Sequence, residues 1–111
     1  MKPEYLSLPY RPNVSIITIQ KDKFLLVNLV DWQENWWKFP QGGIDEKEEI
    51  ISAGKREFFE EIGTNKIRVL GMSKYTNQYD WIDKVIEFKN KKYRGQFQHF
   101  IVVEFIGKEE D

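Results

Sequence analysis

The chain has 111 residues, 41% apolar and 15% aromatic, with 17 Lys and Arg against 18 Asp and Glu for a formal net charge of −1. That length suits one domain spanning residues 1–111 rather than two, and the balanced charge excludes a global field for nucleic acid or an anionic membrane. The absence of cysteine excludes a disulfide framework and a thiolate metal site. The N-terminal "MKPEYLSLPYRP" has no apolar run of signal-peptide length, and later apolar stretches are broken by charges. The expectation is a soluble, cytoplasmic protein with no membrane segment.

In chain order, "VSIITI" (Val14 to Ile19) is short and β-branched and predicts a strand. The turn "QKDK" joins it to a second run, "FLLVNLV" (Phe24 to Val30), so the pair reads as a hairpin. The polar and aromatic "DWQENWWKFPQGG" closes on Pro40 and Gly42–Gly43, where glycine permits a close approach that a Cβ would forbid. "DEKEEIISAGKREFFEEIG" (Asp45 to Gly63) predicts the one helix, with acidic residues at its start and Gly63 as the C-terminal cap. At about 100° per residue Ile51, Phe58 and Ile62 share a stripe, predicted to be the buried face. Beyond it, "IRVLGMSKY", "DKVIEF" and "FQHFIVVEFI" read as three strands, with "TNQYDW" and "KNKKYRGQ" as loops. One helix among five or more strands predicts an α+β domain with a mixed sheet.

Glu57, Glu60 and Glu61 stand three and four positions apart on that helix, where like charges repel. A solvated acidic face is the ordinary reading of such a cluster. Against it, none of the three has a Lys or Arg four residues on, the cluster borders the apolar stripe, and a Gly-Gly loop precedes it by one helix length. Carboxylate and carbonyl oxygens without Cys or His suit hard cations such as Mg²⁺ or Mn²⁺. The missing positive charge is therefore expected to be a metal, of the kind that bridges carboxylates to substrate phosphates.

"GGIDEKEEIISAGKREFFEEIGT" resembles the Nudix box, G-x5-E-x7-R-E-U-x-E-E-x-G-U with U a bulky apolar residue. Gly42 opens it, Glu48, Arg56–Glu57, Glu60–Glu61 and Gly63 fill its fixed positions, and only Thr64 departs, at an apolar position. "YRPNV" (Tyr10 to Val14), "WKFPQGGIDE" (Trp37 to Glu46) and "GQFQHF" (Gly95 to Phe100) extend the resemblance to the branch of RNA pyrophosphohydrolases and asymmetrically cleaving diadenosine polyphosphate hydrolases. The resemblance implies an α/β/α sandwich around a mixed sheet. It also implies a final strand and helix that this sequence does not carry, opening with an acidic residue for which Glu109, Glu110 or Asp111 would substitute.

By the same resemblance the catalytic residues are Glu48, Arg56, Glu57, Glu60 and Glu61. The ligands of Mg²⁺, or of Mn²⁺, are Glu57, Glu60, Glu61 and a carbonyl of Gly43 or Gly42, and Arg56 orients a box glutamate from behind. Arg11, Lys38, Tyr75, Tyr79, Gln96 and Gln98 are the candidates for substrate binding, with the aromatics available to stack on a base. Lys74 and Arg94 are weaker phosphate candidates. Trp32, Trp36 and Trp81 divide between base stacking and packing, Trp37 is expected to pack under the loop, and His99 is read as structural.

The leading expectation is a Mg²⁺-dependent pyrophosphohydrolase acting on a dinucleoside polyphosphate such as diadenosine tetraphosphate. The alternative is an RNA 5′-triphosphate pyrophosphohydrolase; it ranks second because the second strand lacks that group's arginines. A third reading, of another class, is a nucleotide-binding module with little turnover. An uncovered sheet flank and surplus tryptophans predict a homodimer.

Overall fold

The computed structural model describes residues 1–28 and 37–107. Its spine is a pair of long strands, β1 (Tyr10–Gln20) and β8 (Gly95–Phe105), which run parallel in register from Tyr10↔Gly95 to Ile19↔Glu104. The shorter strands β2 (Lys23–Leu25), β3 (Val27–Asn28), β4 (Trp37–Lys38), β5 (Gln41–Gly43), β6 (Ile67–Met72) and β7 (Asn77–Asp80) pair antiparallel. The main sheet runs β2-β1-β8-β6, with β5 on β1 and β7 on β8; β3 and β4 form a separate ribbon. The α+β class and the mixed sheet are borne out; the expected hairpin forms with the start of the second run, at Phe24 and Leu25, whereas Val27–Asn28 leaves it to pair with β4.

Because side chains alternate along a strand, residues paired in register share a face. On one face Val14, Ile16, Ile101, Val103 and Phe105 meet Ala53 and Phe58 of helix α1 (Ile50–Ile62) in a closed core. Gly54 brings the helix close: a Cβ there would lie 2.3 Å from Ile101 Cδ1. On the other face β1 presents Asn13 and Ser15, against Gln98 and Phe100 of β8. One spine thus carries an apolar face packed on α1 and a polar face opposite it.

Several expectations need correction. Helix α1 begins at Ile50, with Glu49 as N-cap and no acidic residue in its first turn. Asp45 to Glu48 form a turn, in which Asp45 N–H donates to Glu48 Oε1 at 3.0 Å and Glu48 N–H to the Asp45 carbonyl at 2.9 Å. Gly63 does cap the end, in the left-handed region at φ 88°. Of the predicted stripe only Phe58 is fully buried; Ile62 is half-buried and Ile51 is 36% exposed. The contact is centred on Ala53 and Gly54, because small residues let the sheet approach and move the seam away from Ile51.

"DKVIEF" is not a strand but helix α2 (Asp83–Phe88), so the chain has a second α-helix. Ile86 alone of its residues is fully buried, and Phe88 is 84% exposed. The N-terminal 3-10 turn Pro3–Ser7 pins α2, with Lys2 Nζ and Tyr5 Oη both donating to Glu87 Oε1, at 2.8 and 3.0 Å. "TNQYDW" is not wholly a loop, since Asn77–Asp80 pairs with β8. As an exposed edge strand it has no apolar alternation to announce it.

The expectations for Trp32, Trp36, Glu109, Glu110 and Asp111, and for the side chain of Trp37, lie outside what is described. Among the described residues no helix follows β8, and none is long and apolar enough to cross a membrane.

Candidate functional site

The glycine pair of β5 takes a side chain on each face of the sheet. A Cβ on Gly42 would sit 1.9 Å from Cδ of Glu57, so the carboxylate of α1 rests directly on that glycine. A Cβ on Gly43 would sit 2.4 Å from Nη2 of Arg11, which approaches from the opposite, polar face. The ladder to β1 is flanked by Ile16 N–H to the Pro40 carbonyl and Ile44 N–H to the Pro12 carbonyl. That alternation turns Gly42's polar groups toward β1 and those of Gln41 and Gly43 outward. The outward groups are used: Gln41 N–H donates to Glu61 Oε1 at 3.3 Å, and the Gly43 carbonyl accepts from Arg56 Nη2 at 2.9 Å.

Arg56 organises the carboxylates. Its Nε and Nη2 grip both oxygens of Glu48 at 2.9 Å, a bidentate pair. Nη1 donates to Glu57 Oε1 at 2.8 Å and to Glu60 at 3.3 and 3.4 Å. The Arg56 bonds and Asp45 N–H hold the Glu48 carboxyl down at about 2, and Glu48 in turn raises the Arg56 pKa. Glu57 is nearly enclosed, at 14% side-chain exposure, whereas Glu60 is 56% exposed. Glu61 differs. Burial pushes its carboxyl up, opposed by the Gln41 N–H, with Glu57 raising it further and Lys38 lowering it. The premise of an unpaired cluster is therefore corrected: Arg56 stands four residues before Glu60 and contacts it, a partner missed by looking only forward along the helix.

Among the described residues no three carboxylates converge on one point as a metal would need. Arg56 holds an oxygen of Glu57 and both oxygens of Glu60, while Glu61 is turned to Gln41. The donor set nevertheless suits a hard cation: oxygen only, with a glycine cradle under Glu57 that a Cβ would fill. Of the four residues named as ligands, Glu57 and Glu61 reach β5, at Gly42 and at the Gln41 N–H, whereas Glu60 is exposed and held by Arg56. The Gly43 carbonyl already accepts one bond from Arg56, leaving its second lone pair.

Across β5 from the carboxylates, a cleft of about 420 Å³ is lined by Ser15, Leu26, Lys38, Phe39, Gln41, Tyr79, Gln98 and Phe100. Three predicted substrate residues, Lys38, Tyr79 and Gln98, are in its wall. Burial lowers the Lys38 pKa, with Glu61 opposing from the other side of the strand. Tyr79 donates its hydroxyl to Gln96 Oε1 at 2.7 Å, and burial raises its pKa. Gln96 is buried behind it, and Tyr75, largely exposed, leans on Phe100 at 5.6 Å between centroids. Arg11 pairs in register with Gln96 and so lies on the same face. It has no carboxylate at ion-pair distance among the described residues.

Other candidates are placed elsewhere. Arg94 is spent on Asp80 (2.8 and 3.2 Å), the Leu6 carbonyl (3.0 Å) and the Tyr10 ring, 4.9 Å from its centroid. Trp81 lies under the Lys89 ammonium, 5.3 Å from its centroid, and does not line the cleft. His99 packs on Phe97, 5.1 Å between centroids, and Lys74 is exposed. Sequence reasoning missed Asn13, Ser15, Gln41 and Asn77; polar residues alternating with Val14 and Ile16 were the signal for the first two.

Residues 9–111 match the NUDIX domain family model. The RNA pyrophosphohydrolase of Wolbachia pipientis wMel is 37% identical over 103 residues, covering 92% of this chain and 64% of the relative. That of Rickettsia peacockii (strain Rustic) is 36% identical over 110 residues, covering 97% and 68%. The chain thus spans about two-thirds of the length of these relatives. In fold it is similar to the E. coli dihydroneopterin triphosphate pyrophosphohydrolase (TM-score 0.68, 13% identity, 90% of this chain and 73% of that one). It is also similar to the C. elegans Ap4A hydrolase (TM-score 0.61, 16% identity, 92% and 72%). Family model, curated relatives and fold agree with the glutamate helix on its glycine strand: the chain belongs to the NUDIX domain family.

Proposed function

We propose that this chain is a Mg²⁺-dependent pyrophosphohydrolase that cleaves the phosphoric anhydride at a triphosphorylated RNA 5′ end. One observation carries the reading: the Glu57 carboxylate, fixed by Arg56 on Gly42, faces a strand whose other side opens into a lysine- and aromatic-lined cleft. Water adds to a phosphorus and the bridging P–O bond breaks, so a triphosphate end yields a monophosphate end and pyrophosphate. Glu57, Glu60 and Glu61 would hold the metal, which when bound supplies charge neutralisation on phosphate and a more acidic water. Arg56 and Glu48 set the direction of the Glu57 carboxylate. Lys38 and Arg11, neither with a carboxylate at ion-pair distance among the described residues, take the charge of the phosphate chain. Phe39, Tyr79 and Phe100 supply apolar surface for a base.

The relatives named as RNA pyrophosphohydrolases favour the RNA end over the dinucleoside polyphosphate, reversing the order drawn from the sequence. The test is a product screen with Mg²⁺ and with Mn²⁺ over triphosphorylated RNA, diadenosine tetraphosphate, ADP-ribose and nucleoside triphosphates. Pyrophosphate from the RNA, at a higher kcat/KM than cleavage of the tetraphosphate, supports the proposal. Nucleotide binding without turnover would point instead to a binding module.

A further inference from the structure

Gln96 and Gln98 face together from β8, yet the structure uses them differently. Gln98 is saturated. Its Nε2 carries two hydrogens, and both are donated, to Gln41 Oε1 at 2.9 Å and to Asn13 Oδ1 at 3.2 Å. Its Oε1 accepts from Asn77 Nδ2 at 3.2 Å. Asn13 is 1% exposed, so the amide is fixed by three strands, β1, β5 and β7, around its own. By contrast Gln96 uses its Oε1 for Tyr79, and its amide hydrogens have no partner among the described residues.

The partner that matters is Gln41. It opens β5, an edge strand of three residues, where few ladder bonds hold the backbone. Its side chain is tied to Gln98 on the cleft side, while its backbone N–H donates to Glu61 on the carboxylate side. A displacement of residue 41 would move the donor that orients Glu61.

We propose that Gln98 is a positioning residue that acts through Gln41 on Glu61 and makes no polar contact with substrate. This rests on the reading of Glu61 as part of the hydrolytic site.

The test compares Gln98→Met, Gln41→Met and the double variant; position 41 keeps its backbone N–H throughout. Each single change should lower kcat about two- to tenfold, the scale of one hydrogen bond, with KM unchanged. The double should be no slower than the worse single, because both cut one chain of contacts. A KM increase at unchanged kcat in Gln98→Met, or additive losses, would overturn the proposal. A second readout needs neither metal nor substrate: hydrogen exchange of the residue 41 amide in the metal-free protein. Faster exchange in Gln98→Met relative to neighbouring β1 amides supports the relay, and unchanged protection overturns it. Should Gln98→Met not fold, the same exchange comparison on Gln41→Met decides. A parent protein with no turnover on any anhydride would defeat the functional reading alone and leave the exchange result to judge the relay.

Discussion

Replacing Gly42 by alanine should separate function from stability. The added Cβ would lie 1.9 Å from Cδ, 2.0 Å from Oε2 and 2.5 Å from Oε1 of Glu57. Ordinary contact begins at 3.4 Å, so the carboxylate must retreat by about 1.5 Å, out of its place beside Arg56. A misplacement of about 1 Å at a reacting centre costs on the order of 10²-fold in rate, so kcat/KM should fall about a hundredfold. Folding should suffer less. Gly63 is the only glycine at positive φ among the described residues, so alanine at 42 meets no backbone strain, and loss of unfolded-chain freedom contributes about 0.4–1 kcal/mol in its favour. The weakened Arg56–Glu57 bond offsets that, its complete loss being worth about 1.5–3 kcal/mol at a nearly enclosed carboxylate. Gly63→Ala is the converse control: no heavy atom lies within 4 Å, but φ is +88°. It should cost about 1–2 kcal/mol of stability and leave turnover per folded molecule alone. Denaturant melts, turnover on triphosphorylated RNA and Mn²⁺ titration read both variants. Parental turnover and parental Mn²⁺ affinity in Gly42→Ala would refute the placement of Glu57.

Three further outcomes follow from the same contacts. Gly54→Ala should destabilise the chain by about 1 kcal/mol or more despite alanine's better helix propensity, because overpacking against Ile101 outweighs it; an unchanged denaturation midpoint contradicts this. The Glu48 carboxyl is depressed from 4.5 to about 2, so the unfolded chain binds its proton first and stability falls as pH drops through that window. Melting temperatures from pH 2 to 5 should show a shallower acid slope in Glu48→Gln, and identical slopes would remove the Arg56 pair as the cause. Finally, β6 is a sheet edge with Leu70 and Met72 about half exposed; such an edge invites pairing, and light scattering at tens of micromolar should find a dimer, whereas monomer alone rejects the expectation.

How legible was this in the sequence? Features with strong local grammar were readable. The β1–β2 hairpin, α1 with its Gly63 cap, and the strand ending at Phe105 each carry a periodic pattern or a turn residue. The glutamates, Arg56 and the glycines beside them stand at the fixed spacing of the Nudix box, so the resemblance named as candidates residues that the fold brings together. What failed was decided by partners remote in sequence. Residues 83–88 are too few for helical and strand periods to differ, and the contacts that hold them come from Lys2 and Tyr5. Asn77–Asp80 is a strand because β8 offers it an edge. Ile51 lost its place in the core because Gly54 lets the sheet approach. The cleft side was partly visible, but that Gln98 is saturated while Gln96 is not depends on which strand supplies Asn13, Gln41 and Asn77.

The most direct measurement is pyrophosphate release from a 5′-triphosphorylated RNA by the parent chain and by Glu57→Gln, each with Mg²⁺ and with chelator. The account predicts release by the parent only when Mg²⁺ is present, and a loss of orders of magnitude in the variant at an unchanged fold. Release that persists in chelator, or that is equal in the two proteins, would contradict it.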